Sequence, residues 1–232
     1  MWVKMFLCLF AAHLVADFIL QSNSICKNKA IKKWHSPYHY EHAIIVFALS
    51  WLVSMEVGFW WCALIIGVSH FLIDIWKSYR EEEVEWFAID QVLHILVLIG
   101  ISILWSSSHI WTIPWGASPG TIATIVAFLV CWKPSNIFIK LMLKHFSVSV
   151  PETEDKSGFN AGALIGDIER WLIILFVCMQ HYEALGLLIA AKSIIRFSDK
   201  DTTKTEYVLA GTLLSIFIAV LSGLFVCHFL QK

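Results

Sequence analysis

Apolar runs of bilayer-crossing length recur from one end of this chain to the other, and that pattern leaves few folds open to it. A membrane-spanning helix needs about 20 mostly apolar residues. Candidate spans fall at 4–21, 41–55, 58–77, 85–105, 121–143, 160–180, 182–197 and 206–230. With 58% hydrophobic and only 15% charged residues, a water-soluble globule would have too little polar surface to cover its apolar side chains. The expected fold is therefore all-α, a polytopic membrane bundle of about eight transmembrane helices. The second and seventh spans are short, and the break at Gly58 is placed mainly because 41–77 is too long for one crossing and contains Glu56.

Lysine and arginine sort to alternate loops. Lys27, Lys29, Lys32 and Lys33 follow the first span, Lys77 and Arg80 the third, Lys144 and Lys156 the fifth, and Arg196, Lys200 and Lys204 the seventh. The loops around Glu56, at 106–120 and around His181 hold neither residue. Because such charge bias marks the cytoplasmic side, both termini are expected outside. Trp60, Trp61, Trp105, Trp111 and Trp115 then fall at the outer headgroup level, and Pro114, Gly116, Pro119 and Gly120 mark a turn region. The apolar start, with no cleavage motif before Asp17, reads as a retained first span. Residues 1–146 form a His/Asp-rich half of five spans, 147–160 a cytoplasmic linker and 161–232 a second half of three spans, within one membrane domain.

The net charge of -1 gives no basic stripe for nucleic acid, so none is expected as a partner. Cys8, Cys26, Cys62, Cys131, Cys178 and Cys227 stand singly, with no CxxC, and read as small core residues.

Three pairs break the apolar pattern with one spacing: His13 with Asp17, His70 with Asp74, and Asp90 with His94, each at i and i+4 and so on one helix face. At about 1.5 Å of rise per residue, the three histidines lie roughly 10–14 Å inside the cytoplasmic face and the aspartates nearer to it. His42 opens the second span and could join them, as could His39 and His35 from the loop. Ionisable groups inside a membrane are costly and mark functional sites. Imidazoles and carboxylates suit zinc and other first-row ions, whose charge makes buried carboxylates tolerable. Seven candidate metal ligands, His13, Asp17, His42, His70, Asp74, Asp90 and His94, exceed one tetrahedral set. Either some orient the others or two ions are held, an arrangement suited to phosphoester hydrolysis. A hydrogen-bonded polar core or a proton relay would use the same residues.

The strings His13-Leu-Val-Ala-Asp17-Phe-Ile-Leu-Gln21, His70-Phe-Leu-Ile-Asp74-Ile-Trp-Lys77 and Asp90-Gln91-Val-Leu-His94 resemble, in order, those of a bacterial family of polytopic membrane proteins described only as domain of unknown function 3307. Gly162-Ala-Leu-Ile-Gly166-Asp-Ile-Glu169-Arg170 and Ala190-Ala-Lys192-Ser193-Ile-Ile-Arg196-Phe197 resemble sequences that accompany this domain in some members. The resemblance covers most of the chain. It implies a multi-pass protein of the bacterial inner membrane and carries no reaction. A looser similarity to His/Asp-rich membrane proteins described as metal-dependent hydrolases is analogy alone.

In the second half, Asp167, Glu169 and Arg170 lie at the expected depth of the histidines, and Lys192 and Arg196 form another i, i+4 pair. They either make an anion site or form an internal ion pair with snorkelling cations. Gly162 and Gly166 read as a helix-packing GxxxG, and Glu81, Glu82, Glu83 and Glu85 as a solvated cap.

The first expectation is a metal-dependent hydrolase with zinc as first choice, acting on an anionic or phosphorylated amphiphile at the cytoplasmic leaflet. Asp74 or Asp90 would act as general base or metal bridge, with Arg170 and Lys192 neutralising phosphoryl charge. The alternatives are a divalent-cation or proton transporter, or a membrane effector with a structural polar core. Expected partners are membrane lipids, a lipid-like substrate and further copies of the chain in a homo-oligomer.

Overall fold

The computed structural model describes residues 2–112, 116–146, 161–196 and 202–231, and among these every regular element is helical. The order is α1 (Trp2–Leu14), α2 (Asn23–Lys32), α3 (Pro37–Ser54), α4 (Trp60–Ser78), α5 (Val84–Ser108), α6 (Pro119–Val130), α7 (Lys133–His145), α8 (Ala161–Cys178), α9 (Tyr182–Arg196) and α10 (Thr202–Leu230). The segments Trp2–Ile19, Val57–Ser78, Val84–Ser108 and Val208–Leu230 are long and apolar enough to cross a membrane, and the bent pair α6 and α7 makes a fifth if it is one span. Eight crossings are not reached by this measure. Helix α9 has only 15 residues, α8 carries Asp167, Glu169 and Arg170, and α3 opens on Tyr38, His39, Tyr40, Glu41 and His42. Each expected span nonetheless coincides with a helix or with the bent pair.

Chain contacts divide the protein into two units, Met1–Val126 and Ala127–Lys232. The expected linker at 147–160 lies outside the described residues, as do Pro114 and Trp115.

In the first unit α1 packs on α3 and α5, α3 on α4, and α4 on α5, closing a four-helix ring. Its polarity is inverted relative to a water-soluble bundle. On α5 the buried stripe is Asp90, His94, Leu98, Ile101, Ser102 and Trp105, whereas Val92, Leu93, Leu96, Ile103 and Leu104 face outward. On α3 the buried stripe is His39, His42, Val46, Ser50 and Ser54. Both stripes advance mostly by three or four residues, as one helix face requires. A ring with imidazoles inside and leucine outside is stable where the surroundings are apolar. Met55 ends α3 in the left-handed region at φ 50°, and the chain re-enters through a single tight turn at Val57–Phe59, so the break falls before Gly58.

Two tryptophans depart from the interfacial belt. Trp105 and Trp111 are buried: Trp105 packs against Phe59, Trp61 and His109, and the Trp111 indole N–H donates to the Ser54 carbonyl at 2.9 Å. They close one end of the ring, while Trp60 and Trp61 stay exposed. Lysine and arginine at one end of the ring and neither at the other predict opposite sidedness. Native Cys26, which is exposed, and a cysteine placed by Ser108→Cys should label from opposite faces of intact cells. Labelling from one face would overturn the orientation.

In the second unit α8 and α7 pack on α10, and α9 on α8. Closest approach is at Gly223, where an added Cβ would sit 2.8 Å from Val177. Helices α6 and α7 meet at 42°. Pro134, in the first turn of α7, lacks an N–H and its ring crowds the carbonyl four residues back, which breaks the helix there. That carbonyl, Val130, instead accepts from the Ser135 hydroxyl at 2.6 Å.

Candidate metal centre

Each His/Asp pair enters the ring from a different helix, and the structure brings all seven expected ligands together. Three sets of donor atoms lie within 4.8 Å of one another: His13, His70 and His94; Asp17, His42 and His70; and Asp74, Asp90 and His94. Asp17 reaches its set through a local irregularity. Residues Val15–Ile19 form a π-type turn, with Leu20 N–H donating to Val15 O five residues back at 3.0 Å. Such one-turn widenings recur at functional sites because they reset the direction of a side chain. Here Asp17 Oδ1 lies 3.2 Å from His42 Nε2 and 3.3 Å from His70 Nε2.

His42 Nε2 and His70 Nε2 are themselves 3.0 Å apart. That distance needs close helices. Gly67, one turn before His70, allows it, since a Cβ there would meet Phe47 Cβ at 3.1 Å and the Ala43 carbonyl at 3.2 Å. Three acceptor-capable atoms now face one another at 3.0–3.3 Å. Hydrogen bonding cannot satisfy all three contacts. If both nitrogens are protonated they oppose each other across 3.0 Å, and if either is not, its lone pair faces the carboxylate. A cation at the centre makes all three favourable. Donors around a tetrahedral ion with bonds of about 2.0–2.1 Å lie about 3.3 Å apart, close to the observed spacing.

The third set is looser. Asp90 Oδ1 is 3.4 Å from His94 Nε2, and Asp74 Oδ1 is 4.0 Å from it. Asp74 Oδ1 is also 3.8 Å from His70 Nε2, so this one oxygen lies between the two Asp-containing sets. Asp90 Oδ1 and His94 Nε2 are buried without a hydrogen-bond partner among the described residues. A buried polar atom of this kind is expensive unless something supplies the missing partner. The rings of His70 and His94 stack at 4.1 Å. His13 Nε2 donates to Gln91 Oε1 at 3.3 Å, and Gln91 Nε2 donates to Asp90 Oδ2 at 3.1 Å, so Gln91 ties the first and third motifs together.

Residues passed over by the sequence reading occupy the outer side. The Lys29 ammonium donates to Asp74 Oδ2 at 2.6 Å, and Lys77 lies 3.7 Å from Asp90 Oδ2. Lys29 is the one buried residue of α2. In the sequence it stands as one of the loop charges that set the topology, and its burial follows from a helix that periodicity alone does not define. His39 is buried with both ring nitrogens unpartnered, its Nδ1 4.0 Å from Asp74 Oδ2, whereas His35 is exposed beside Trp34.

Arg170 and Lys192 belong to the second unit and have partners there. Arg170 is buried and donates to Asp167 Oδ1 at 2.5 Å, Asn136 Oδ1 at 2.6 Å, Ser215 Oγ at 3.0 Å and the Cys131 carbonyl at 2.6 Å. That carbonyl lies at the α6–α7 break. Gly166 faces the Arg170 side chain, with Nη1 3.3 Å from where a Cβ would be, and so gives the guanidinium room. Lys192 pairs with Glu169. The Arg196 side chain falls outside those described.

No curated protein and no solved structure matches the chain. One family model does, that of a protein of unknown function (DUF3307), over residues 5–115, a stretch that contains all seven clustered His and Asp residues together with Lys29, Lys77 and Gln91. Residues 5–115 thus match the DUF3307 model, and the clustered His/Asp residues lie wholly within the matched stretch.

Proposed function

We propose that the first unit is a metal-dependent hydrolase embedded in the bacterial inner membrane, acting on an anionic or phosphorylated amphiphile at the cytoplasmic leaflet. The observation that carries this reading is the Asp17, His42 and His70 triangle, whose 3.0–3.3 Å edges suit an ion and frustrate hydrogen bonding. The sets Asp17, His42, His70 and Asp74, Asp90, His94 share no residue, so two ions fit at once, with zinc the first to test. A divalent ion held there would act as a Lewis acid and make hydroxide available near neutral pH. Asp74 and Asp90 would help to hold the ions, and one of the two would serve as general base toward water. His13 and Gln91 hold donors in place from outside the two sets. Arg170 and Lys192 serve the substrate in this reading only if Asp167 and Glu169 release them.

A cation or proton transporter would use the same ligands but needs a polar path beyond them. The small cavity beside His13, His70 and His94 is lined otherwise by Val46, Ile66, Val97 and Leu98, with only the Ser50 and Ser69 hydroxyls. Further along, Ile101, Phe59 and Trp105 fill the interior. A site closed at one end favours chemistry over passage.

The test is metal analysis of the purified full chain together with phosphate release from a panel of phosphorylated lipids, beside zinc uptake into liposomes. Stoichiometric metal with chelator-sensitive hydrolysis is the expected result. Uptake without hydrolysis would select transport, and a stable protein that takes up no metal would leave a structural polar core.

A further inference from the structure

The two carboxylates of the looser set are each used from both sides. Their Oδ1 atoms lie toward His94, with Asp74 Oδ1 4.0 Å and Asp90 Oδ1 3.4 Å from its Nε2, while each Oδ2 lies near a lysine, at 2.6 Å from Lys29 and 3.7 Å from Lys77; Asp74 Oδ2 is also 4.0 Å from His39 Nδ1 and from His42 Nε2. Metal ligation through Oδ1 therefore leaves Lys29 and Lys77 in place, one carboxylate away from the ions. An ammonium carries three donors, and a single carboxylate oxygen does not exhaust them.

Charge then decides what must bind. Asp17, Asp74 and Asp90 with Lys29 and Lys77 leave one net negative charge when the imidazoles are neutral, as ligation requires. Two divalent ions turn this into three net positive charges in a buried site. Excess charge of that size in low-dielectric surroundings calls for an anionic ligand carrying at least two charges. A carboxylate ligand would supply one, whereas a phosphate monoester supplies up to two and presents three oxygens, enough to meet an ion and both ammoniums together. Around the same end of α4, Arg80 lies 5.2 Å from the Trp76 ring and 4.6 Å from the Trp86 ring, and Lys33 lies 4.5 Å from the Tyr79 ring, so two further cations rest on aromatic rings there, beside the acidic run Glu81, Glu82, Glu83 and Glu85.

We propose that Lys29 and Lys77 form the anion subsite of this centre and that its ligand is a phosphate monoester. The inference rests on the metal reading above and names the substrate chemistry of that site. The dianionic group would bind between the ammonium pair and the ions, with Lys29 and Lys77 drawing it toward Asp74 and Asp90.

The experiment uses the full chain in detergent, loaded with zinc, with ion content counted first and inorganic phosphate then titrated calorimetrically. Lys29→Gln and Lys77→Gln should each weaken phosphate binding about tenfold or more, the value of a lost charge-assisted hydrogen bond. Lys29→Gln should also tighten zinc binding, because a like charge near the ions is gone. Opposite changes in the two affinities are not what a merely structural lysine would give. Lys32→Gln, on the exposed side of α2, should change neither. Should Lys29→Gln not fold, Lys29→Arg, which keeps the charge and alters its geometry, must still weaken phosphate binding without tightening zinc. Bound zinc with phosphate affinity unchanged in the Lys29 and Lys77 variants would overturn this inference alone. No bound zinc in the parent would overturn the metal reading with it. In nanodiscs, competition by phosphatidic acid over phosphatidylcholine would identify the phosphate as a lipid headgroup, and its absence a soluble phosphate ester, each upholding the subsite.

Discussion

His70→Ala should bind one zinc ion per chain where the parent binds two. His70 contributes to the Asp17, His42, His70 set and to the His13, His70, His94 set, but not to Asp74, Asp90, His94. Its loss leaves Asp17 and His42 as the only donors belonging to that set, because Asp74 is grouped with Asp90 and His94 and lies 3.8 Å from the removed His70 Nε2, and Ile66 and Val46 offer nothing to replace an imidazole. A set reduced from three protein ligands to two no longer holds zinc against water at ordinary concentrations. His94→Ala should give the same stoichiometry by emptying the other set. His70→Ala with His94→Ala should bind none. His13→Ala makes a different demand, since His13 lies outside both disjoint sets and acts through Gln91 and Asp17. It should keep both ions with affinity lowered about 10–100-fold. Atomic emission on protein purified without chelator, followed by competition against a zinc indicator, measures both quantities. Two ions retained in His70→Ala, or an equal loss in His13→Ala, would overturn the assignment of the sets.

That these His and Asp residues cluster was legible in the sequence because ionisable groups in apolar helices are rare and their i, i+4 spacing survives in any helix. His13, His70, Asp74, Asp90 and His94 could be placed from spacing, and His42 from its position at a helix start. The closeness of Asp17 to His42 could not, because the π-type turn at Val15–Ile19 has no residue signature in this stretch. Lys29 escaped for a related reason. Its helix is polar on most faces and short, so no periodicity showed which residue turns inward. Loop cations are ordinarily read as topology markers, and only tertiary packing placed this one on Asp74. Trp105 and Trp111 were assigned to the interface by composition and depth, yet the end of the ring needs large side chains to fill it. The helical bundle followed from hydropathy, but hydropathy alone did not distinguish α3, α8 and α9 from longer and more apolar helices. The buried polar residues of α3 and α8 lower the apolarity that marks a span, and α9 is too short at 15 residues.

Arg170→Ala should destabilise the protein by about 3–5 kcal/mol while leaving its zinc content unchanged. The substitution removes four hydrogen bonds and leaves Asp167 buried without its cation. It also takes the Nε donor from the Cys131 carbonyl, which lies where Pro134 breaks the helix between α6 and α7. In apolar surroundings that carbonyl has no water to turn to. The clustered His and Asp residues all belong to 5–115, so the zinc content should not follow the loss. Removing the stranded charge as well, with Asp167→Asn beside Arg170→Met, should recover part of the stability, because a neutral amide beside an apolar side chain costs less to bury than a lone carboxylate. Thermal unfolding in detergent and zinc analysis on the same preparations measure the two effects. Turnover separates the roles of Arg170. If it acted on charge developing in the substrate, Arg170→Ala would lose activity at unchanged stability, and the Asp167→Asn partner would restore none of it. If it braces the α6–α7 break, activity and stability fall and recover together, and the double variant keeps the zinc and regains the turnover that the single variant lost.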